Sequence, residues 1–188
     1  MSQEPLSPIF QLADRFVDEQ AALDPILATT NGIGGFDHLL TDLSPEGYEE
    51  RADHKRRSLA ALHDLPVTND GDRLAKDFII ERFRTLLAEH DAGDWMRSIR
   101  AIESPAGGVR STFDLMPRDG EQAWANITAR VQAVPAALIQ LRSTYEHGRA
   151  NGTVAARTRP SPLPNRPPRG PRTAGSTASH ARLPPAPT

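Results

Sequence analysis

The sequence predicts an all-α protein, with about five amphipathic helices in an incomplete bundle and a disordered Pro/Arg-rich tail behind them. Three observations carry this expectation. Apolar residues recur at three- and four-residue spacing in five stretches, and no stretch alternates with period two over a useful length. Ser-Pro steps head two of the stretches, an N-cap followed by proline at the first helical position. From Thr158 onward large apolar side chains nearly vanish, leaving only Leu163 and Leu183, so that segment cannot offset its ordering entropy.

The first helix is expected from Pro8, capped by Ser7, with Ile9, Leu12, Ala13, Phe16 and Leu23 on one stripe and Asp24-Pro25 interrupting it. A connection with Gly32, Gly34 and Gly35 follows and reads as a loop. Ser44-Pro45-Glu46 opens the second helix, which is heavily charged and carries a thin stripe of Tyr48, Ala52, Leu59 and Leu62 up to Pro66. The third is the clearest. Leu74, Phe78, Ile79, Phe83, Leu86 and Leu87 form its stripe, Asp70 or Asp72 is expected to cap it, and Gly93 fits the C′ position. Asp72 and Lys76 stand at the spacing of a favourable helical ion pair. The stretch 98–120 reads as an ordered loop with one short turn at most, because Pro105, Gly107, Gly108, Pro117 and Gly120 punctuate it. Trp124, Ile127, Val131 and Val134 then mark a fourth helix, and Leu138, Leu141 and Tyr145 a fifth. Pro135 stands between them as a kink or as the first position of the second.

The composition narrows the chemistry. A chain of 188 residues can build one real core. The apolar fraction is 38% and the mean hydropathy −0.49, and there is no Cys. That excludes a disulfide framework, Cys-ligated metal and a thiol nucleophile. No basic, apolar leader stands at the start. No window approaches the roughly 18 apolar residues of a membrane span, so the expected location is the cytoplasm. The charge is uneven. Five of the 22 basic residues, all Arg, lie in 158–188 together with nine of the 17 Pro and no acid. The remaining 17 basic and 24 acidic residues leave a body of net −7.

A helical zinc-hydrolase site needs H-E-x-x-H, two His one turn apart with a Glu beside the first. The six His, at 38, 54, 63, 90, 147 and 180, include no pair four apart, and none is followed by Glu. "NGIGGFD", Asn31 to Asp37, evokes a nucleotide loop, but Asp37 stands where the dinucleotide pattern needs Gly, a helix precedes it, and no Walker lysine follows. It reads as a helix–helix loop. Asp14, Asp18 and Glu19, like Glu49 and Glu50, are carboxylates close in sequence, and they read as solvated helix faces rather than acid/base or cation sites. Asn126-Ile127-Thr128 matches a glycosylation acceptor but falls inside a predicted helix. "PSPLPNRPP" has the spacing of a polyproline ligand. Five Arg without aromatic neighbours are a poor nucleic-acid signal. No catalytic, cofactor-binding or metal-ligating residue is assigned.

The body also carries a resemblance. Asp24-Pro25, Ala28-Thr29, Gly32, and Asp37 through Glu46 resemble the N-terminal region of a large bacterial family known as domain of unknown function 885. Ser104 to Pro117 is similar to a loop of that family. Val134 to Leu138, Leu141-Arg142, Gly148 and Gly152 are similar to its "LPAALxxLRxxxxxGxxxG" helix end. The resemblance covers roughly residues 8 to 157. It implies a predominantly helical, longer parent, similar to zinc carboxypeptidase-like hydrolases, whose metal-binding H-E-x-x-H helix lies far downstream of the matched region. Zinc is therefore expected only in a full-length member, and no cofactor in this chain.

The expected division is 1–157 for a helical N-terminal region of a larger domain and 158–188 for a non-homologous tail. The chain holds 20 Arg but only two Lys, Lys55 and Lys76, as GC-rich coding DNA produces, and such DNA read out of frame yields the tail's composition. The expected function is that of a catalytically inactive fragment of a zinc-dependent peptidase-like hydrolase, lacking the metal site. The alternative is a small helical protein-binding module with a Pro/Arg-rich interaction tail. No nucleic-acid or membrane partner is expected, and self-association through uncovered apolar helix faces is.

Overall fold

A computed structural model describes residues 6–100 and 104–155. The predicted tail, with His180, lies outside the described residues. Among them there are six α-helices and no strand: α1 (Pro8–Leu23), α2 (Pro25–Thr30), α3 (Pro45–His63), α4 (Asp70–Asp91), α5 (Pro105–Leu115) and α6 (Glu121–Ala150), with a 3₁₀ turn at Asp94–Arg97.

Four helices begin with a cap residue followed by proline. Ser7, Asp24, Ser44 and Ser104 each accept an N–H of the first turn, from Phe10, Leu27, Gly47 and Gly107 respectively. Each cap stabilises its helix by about 1 kcal/mol. Gly93, at φ +73°, follows α4 as expected. The α4 start differs by one or more positions from the expectation, because Asn69 is the cap and accepts the Asp72 N–H at 2.9 Å. That places Asp72 at the third helical position, where its carboxylate turns back to the preceding chain. It accepts from the Thr68 N–H at 3.0 Å, the Thr68 hydroxyl at 2.5 Å and the Ser7 hydroxyl at 2.5 Å. The cap of α1 and the first turn of α4 thus share one buried carboxylate. Lys76 does not pair with it and instead donates to the carbonyls of His63 and Leu65.

Two further expectations are corrected. The stretch 98–120 holds an 11-residue helix, α5, where a loop was expected. Ser104-Pro105 starts it and burial of Val109 and Thr112 holds it, which outweighs the low propensity of Gly107 and Gly108. The fourth and fifth predicted helices are one 30-residue helix running through Pro135. An interior proline costs about 3 kcal/mol, and packing on both sides of it offsets that cost.

The core has two clusters. Ile9, Leu12 and Leu62 join α1 to α3 and, with Leu65, Ala75, Ile79 and Ile80, to α4. Leu43, Val109, Ala137 and Leu141, with Ile26, Leu40, Val134 and Tyr145, join α2, α5 and α6. The second cluster is organised by Arg130, which is fully buried. Its Nε donates to the Leu39 carbonyl at 2.8 Å. One terminal nitrogen donates to the Thr29 and Thr112 hydroxyls at 3.0 and 2.8 Å, and the other to the Phe36 and Pro25 carbonyls at 3.0 and 3.5 Å. All five guanidinium donors are used, and Asp37 lies 4.0 Å away. Burial lowers the guanidinium's pKa and the Asp37 charge raises it in part. Farther along α6, the Thr144 hydroxyl donates to the Leu43 carbonyl at 2.6 Å and the Gln140 side chain accepts the Leu43 N–H.

Register along α6 corrects the predicted stripe. The covered positions are Arg130, Ala137 and Thr144 with Val134, Leu141 and Gly148, while Trp124, Val131 and Leu138 face solvent at 56%, 52% and 46% exposure. On α4, Phe83 is buried but Leu74 and Phe78 are 73% and 66% exposed.

Arg130→Met leaves three carbonyls and two hydroxyls facing one another in the interior. At about 1–3 kcal/mol per orphaned group, it should cost at least about 3 kcal/mol, read as a lowered urea midpoint or loss of the cooperative transition. Asp72 makes a pH-dependent contribution. Hydrogen bonds from Ser7 and Thr68 hold its carboxyl below the usual range, so its stabilisation is complete above the unfolded value of about 4. The stabilisation disappears as pH falls through the lower folded value. Asp72→Asn should lower the urea midpoint at neutral pH and flatten the loss of stability below about pH 4.

Candidate functional site

The structure spreads the sequence's titratable candidates apart. His38 and His63 are exposed, and His63 meets Asp64 at 2.9 Å. His54 is buried, stacked on Phe16 at 4.6 Å, with Glu19 3.4 Å from Nδ1. His90 meets Glu49 at 3.0 Å, and His147 lies 2.9 Å from the Asn151 amide. Among the described residues no group of three or more His, Cys, Asp or Glu is placed to hold a metal ion. Asp14 and Asp18 are exposed. Glu49 pairs with Arg56, and Glu50 with Arg57 at 2.9 Å. Hydrogen bonds from Arg56, then His90, hold the Glu49 carboxyl below its usual range. The outer face of α3 is therefore a solvated ion-pair lattice.

The "NGIGGFD" loop is a clasp rather than a phosphate cradle. Gly32 and Gly35 adopt φ of +71° and +96°, which only glycine takes readily. The Gly32 and Ile33 N–H groups are already used by the Thr29 and Ala28 carbonyls. Asp37 accepts from the Thr29 hydroxyl at 2.8 Å, and Phe36 and Leu39 present their carbonyls to Arg130.

A cleft of about 700 Å³ opens beside α2, α3 and α5, lined among others by Asp24, Thr41, Tyr48, Arg51, Ser98 and Ser104. Asp24 accepts from the Thr41 hydroxyl at 2.5 Å, and Thr41 in turn accepts the Ile26 N–H at 3.0 Å. Arg51, itself buried, donates to the Asp42 carbonyl at 2.7 Å and lies 4.6 Å over the Tyr48 ring. Gly47 makes that approach possible, since a Cβ there would meet the Asp42 carbonyl oxygen at 2.5 Å. Burial raises the Tyr48 phenol's pKa, against the opposing pull of Arg51, so the phenol stays protonated at neutral pH. Burial, then repulsion from Arg51, lowers the Lys55 ammonium. The polar groups here are engaged with the backbone and with each other, an arrangement suited to holding α2, the 31–44 loop and α3 together.

An aromatic column adjoins it. Trp95 lies 4.9 Å from Tyr48, 5.4 Å from His90 and 5.9 Å from His147, and its indole N–H donates to the His90 carbonyl at 3.1 Å. The Tyr145 hydroxyl donates to the Ser98 carbonyl at 3.1 Å, and burial raises its pKa. Gly148 lets the column close, because a Cβ there would lie 2.8 Å from the carbonyl oxygens of both Met96 and Thr153. Sequence reasoning missed the Tyr48–Trp95 pairing and the role of Arg130. The first left no local signal. The second left one, since Arg130 is the only charged residue between Gln122 and Leu141.

No helix among the described residues is long and apolar enough to cross a membrane. Residues 25–160 match the family described as "Bacterial protein of unknown function (DUF885)". No curated protein matches the sequence.

The Gly148 packing makes a direct test. Gly148→Ala must displace two backbone carbonyls and should cost about 1–3 kcal/mol. Gly34→Ala, where a Cβ meets nothing within 4 Å, should change stability by under about 0.5 kcal/mol. Paired thermal melts read the difference.

Proposed function

Because the chain belongs to the DUF885 family, we propose that it is the helical N-terminal layer of a zinc-hydrolase-like parent and is itself catalytically inactive. In this reading the body packs against a catalytic half that carries the H-E-x-x-H helix, and the tail from residue 158 is an out-of-frame continuation. The observation that carries the reading is the exposure of apolar positions along α4 and α6: Leu74 and Phe78 on one, Trp124, Val131 and Leu138 on the other. A helix shows such positions when another layer is meant to cover them. The absence of H-E-x-x-H and of Cys from all 188 residues supports the same reading from the side of chemistry.

The purified chain, supplied with zinc and peptide substrates, is expected to show no chelator-sensitive hydrolysis. Such hydrolysis would overturn the inactive reading. Translation of the DNA beyond codon 157 in the other two frames is expected to yield a helical sequence containing H-E-x-x-H; two frames without one would dispose of the out-of-frame tail.

A further inference from the structure

The outer face of α6 is unlike that of any other long helix among the described residues. From Gln122 to Leu141 the helix has 20 residues and one charge, Arg130, which points inward and is fully buried. At about 1.5 Å per residue, that is roughly 30 Å of solvent-facing helix without an ionised group. By contrast, α3 lines its exposed face with Glu49, Glu50, Arg56 and Arg57 in ion pairs. The large outward residues of α6 are spaced by seven: Trp124, Val131 and Leu138, with Ile139 beside the last at 69% exposure. A seven-residue repeat of open apolar positions suits lengthwise contact with another helix.

We propose that this face binds a second copy of the chain, with two α6 helices antiparallel about a two-fold axis at Val131. The inference rests on the proposed function: α6 keeps open the apolar face that the catalytic half would cover, and in this chain a second copy takes that place. The occupant follows from the spacing and the charges. About an axis at Val131, each residue lies opposite the one equally far on the other side. Trp124 of one copy then meets Leu138 of the other, with Ile139 adjacent, and Val131 meets itself. The large ring at one end thus faces the aliphatic pair at the other, twice. The charges that bound the face also pair. Glu121, just before it, falls opposite residue 141, next to exposed Arg142, whose Nε already meets Glu146 at 2.8 Å within the protomer and whose two terminal nitrogens carry its remaining donors. A parallel pair would stack Glu121 on Glu121 and Arg142 on Arg142. One helix pair makes a small interface, so the dimer forms with rising concentration.

The lack of Cys makes the geometry readable. Val131→Cys, Trp124→Cys and Leu138→Cys are made singly in the full chain and treated with a bis-maleimide whose reach matches the roughly 8–10 Å between packed helix axes. The Val131 variant should cross-link to itself. The Trp124 and Leu138 variants should not, since identical positions are then about 21 Å apart along the axis, but the two should cross-link when mixed. Sedimentation velocity should show a concentration-dependent dimer that Val131→Arg returns to monomer with unchanged helical circular dichroism, since Val131 is already half exposed in the protomer. A chain that stays monomeric at high micromolar concentration, three variants that cross-link to themselves equally, or a dimer that survives Val131→Arg each overturns the proposal. None of these outcomes bears on chelator-sensitive hydrolysis, and finding that activity would leave the cross-linking pattern as it is, so the two readings fail separately.

Discussion

The buried guanidinium of Arg130 is the constraint on which the second core depends. Moving such a cation out of water costs several kcal/mol unless every donor is met. Here every donor is met, by the carbonyls of Pro25, Phe36 and Leu39 and the hydroxyls of Thr29 and Thr112, with Asp37 near enough to favour the charge. These partners come from α2, the 31–44 loop and α5, and the donor from α6. The interaction therefore fixes four segments at once, and it fixes the rotation of α6 about its own axis. With Arg130 inward, Ala137 and Thr144 must also be inward at seven-residue intervals, flanked by Val134, Leu141 and Gly148. The covered face of α6 thus mixes Arg130 and Thr144 with Val134, Ala137, Leu141 and Tyr145, while Trp124, Val131, Leu138 and Ile139 are turned to the outside. The polar contacts of Arg130 and the packing of Val134, Ala137 and Leu141 together decide which face is core.

The same economy of polar groups appears where helices begin. Ser7 caps α1 and donates to Asp72 of α4, and Asp24 caps α2 while accepting from Thr41. Each joins a local cap to a long-range contact. Two carboxylates therefore sit at helix N-termini, where the backbone dipole favours negative charge. Because these contacts use groups that would otherwise need water, the body closes with modest apolar content. Among the described residues, no buried side-chain nitrogen or oxygen is left without a partner.

Much of this was legible in the sequence, and the misses have physical causes. Ser7-Pro8 and Ser44-Pro45 announced α1 and α3, and Gly93 announced the end of α4, because caps and left-handed turns are local chemistry. The glycines of the 31–44 connection likewise read correctly as a loop. Ser104-Pro105 carried the same cap signal, but Gly107 and Gly108 hid α5 behind low propensity, and only burial of Val109 and Thr112 against other helices restores it. Pro135 split α6 on paper for the same reason, since its cost is local and its compensation is tertiary. At the cleft and the aromatic column, Tyr48 and Trp95 lie on different elements, and no spacing rule links them. Arg130 was visible as a lone charge in an uncharged run, yet its partners, Thr29 and Thr112 among them, are distant in sequence.

That lone charge also explains why the outer face of α6 is what it is. A helix facing water on one side ordinarily carries charges there, as α3 does, although exposed ion pairs stabilise by only about 0–1 kcal/mol each. Covering a large apolar side chain stabilises by about 1.5–3 kcal/mol. Trp124, Val131 and Leu138 are each about half exposed, so each retains a substantial part of that stabilisation for whatever layer covers it. Replacing them by charges would cost the protomer little, since none is in its core. Their presence at seven-residue intervals therefore has its physical rationale outside the protomer. The inward register set by Arg130 and the outward stripe are two consequences of one choice of helix rotation. A change that rotated α6 to hide the stripe would have to pull the guanidinium from all five of its partners.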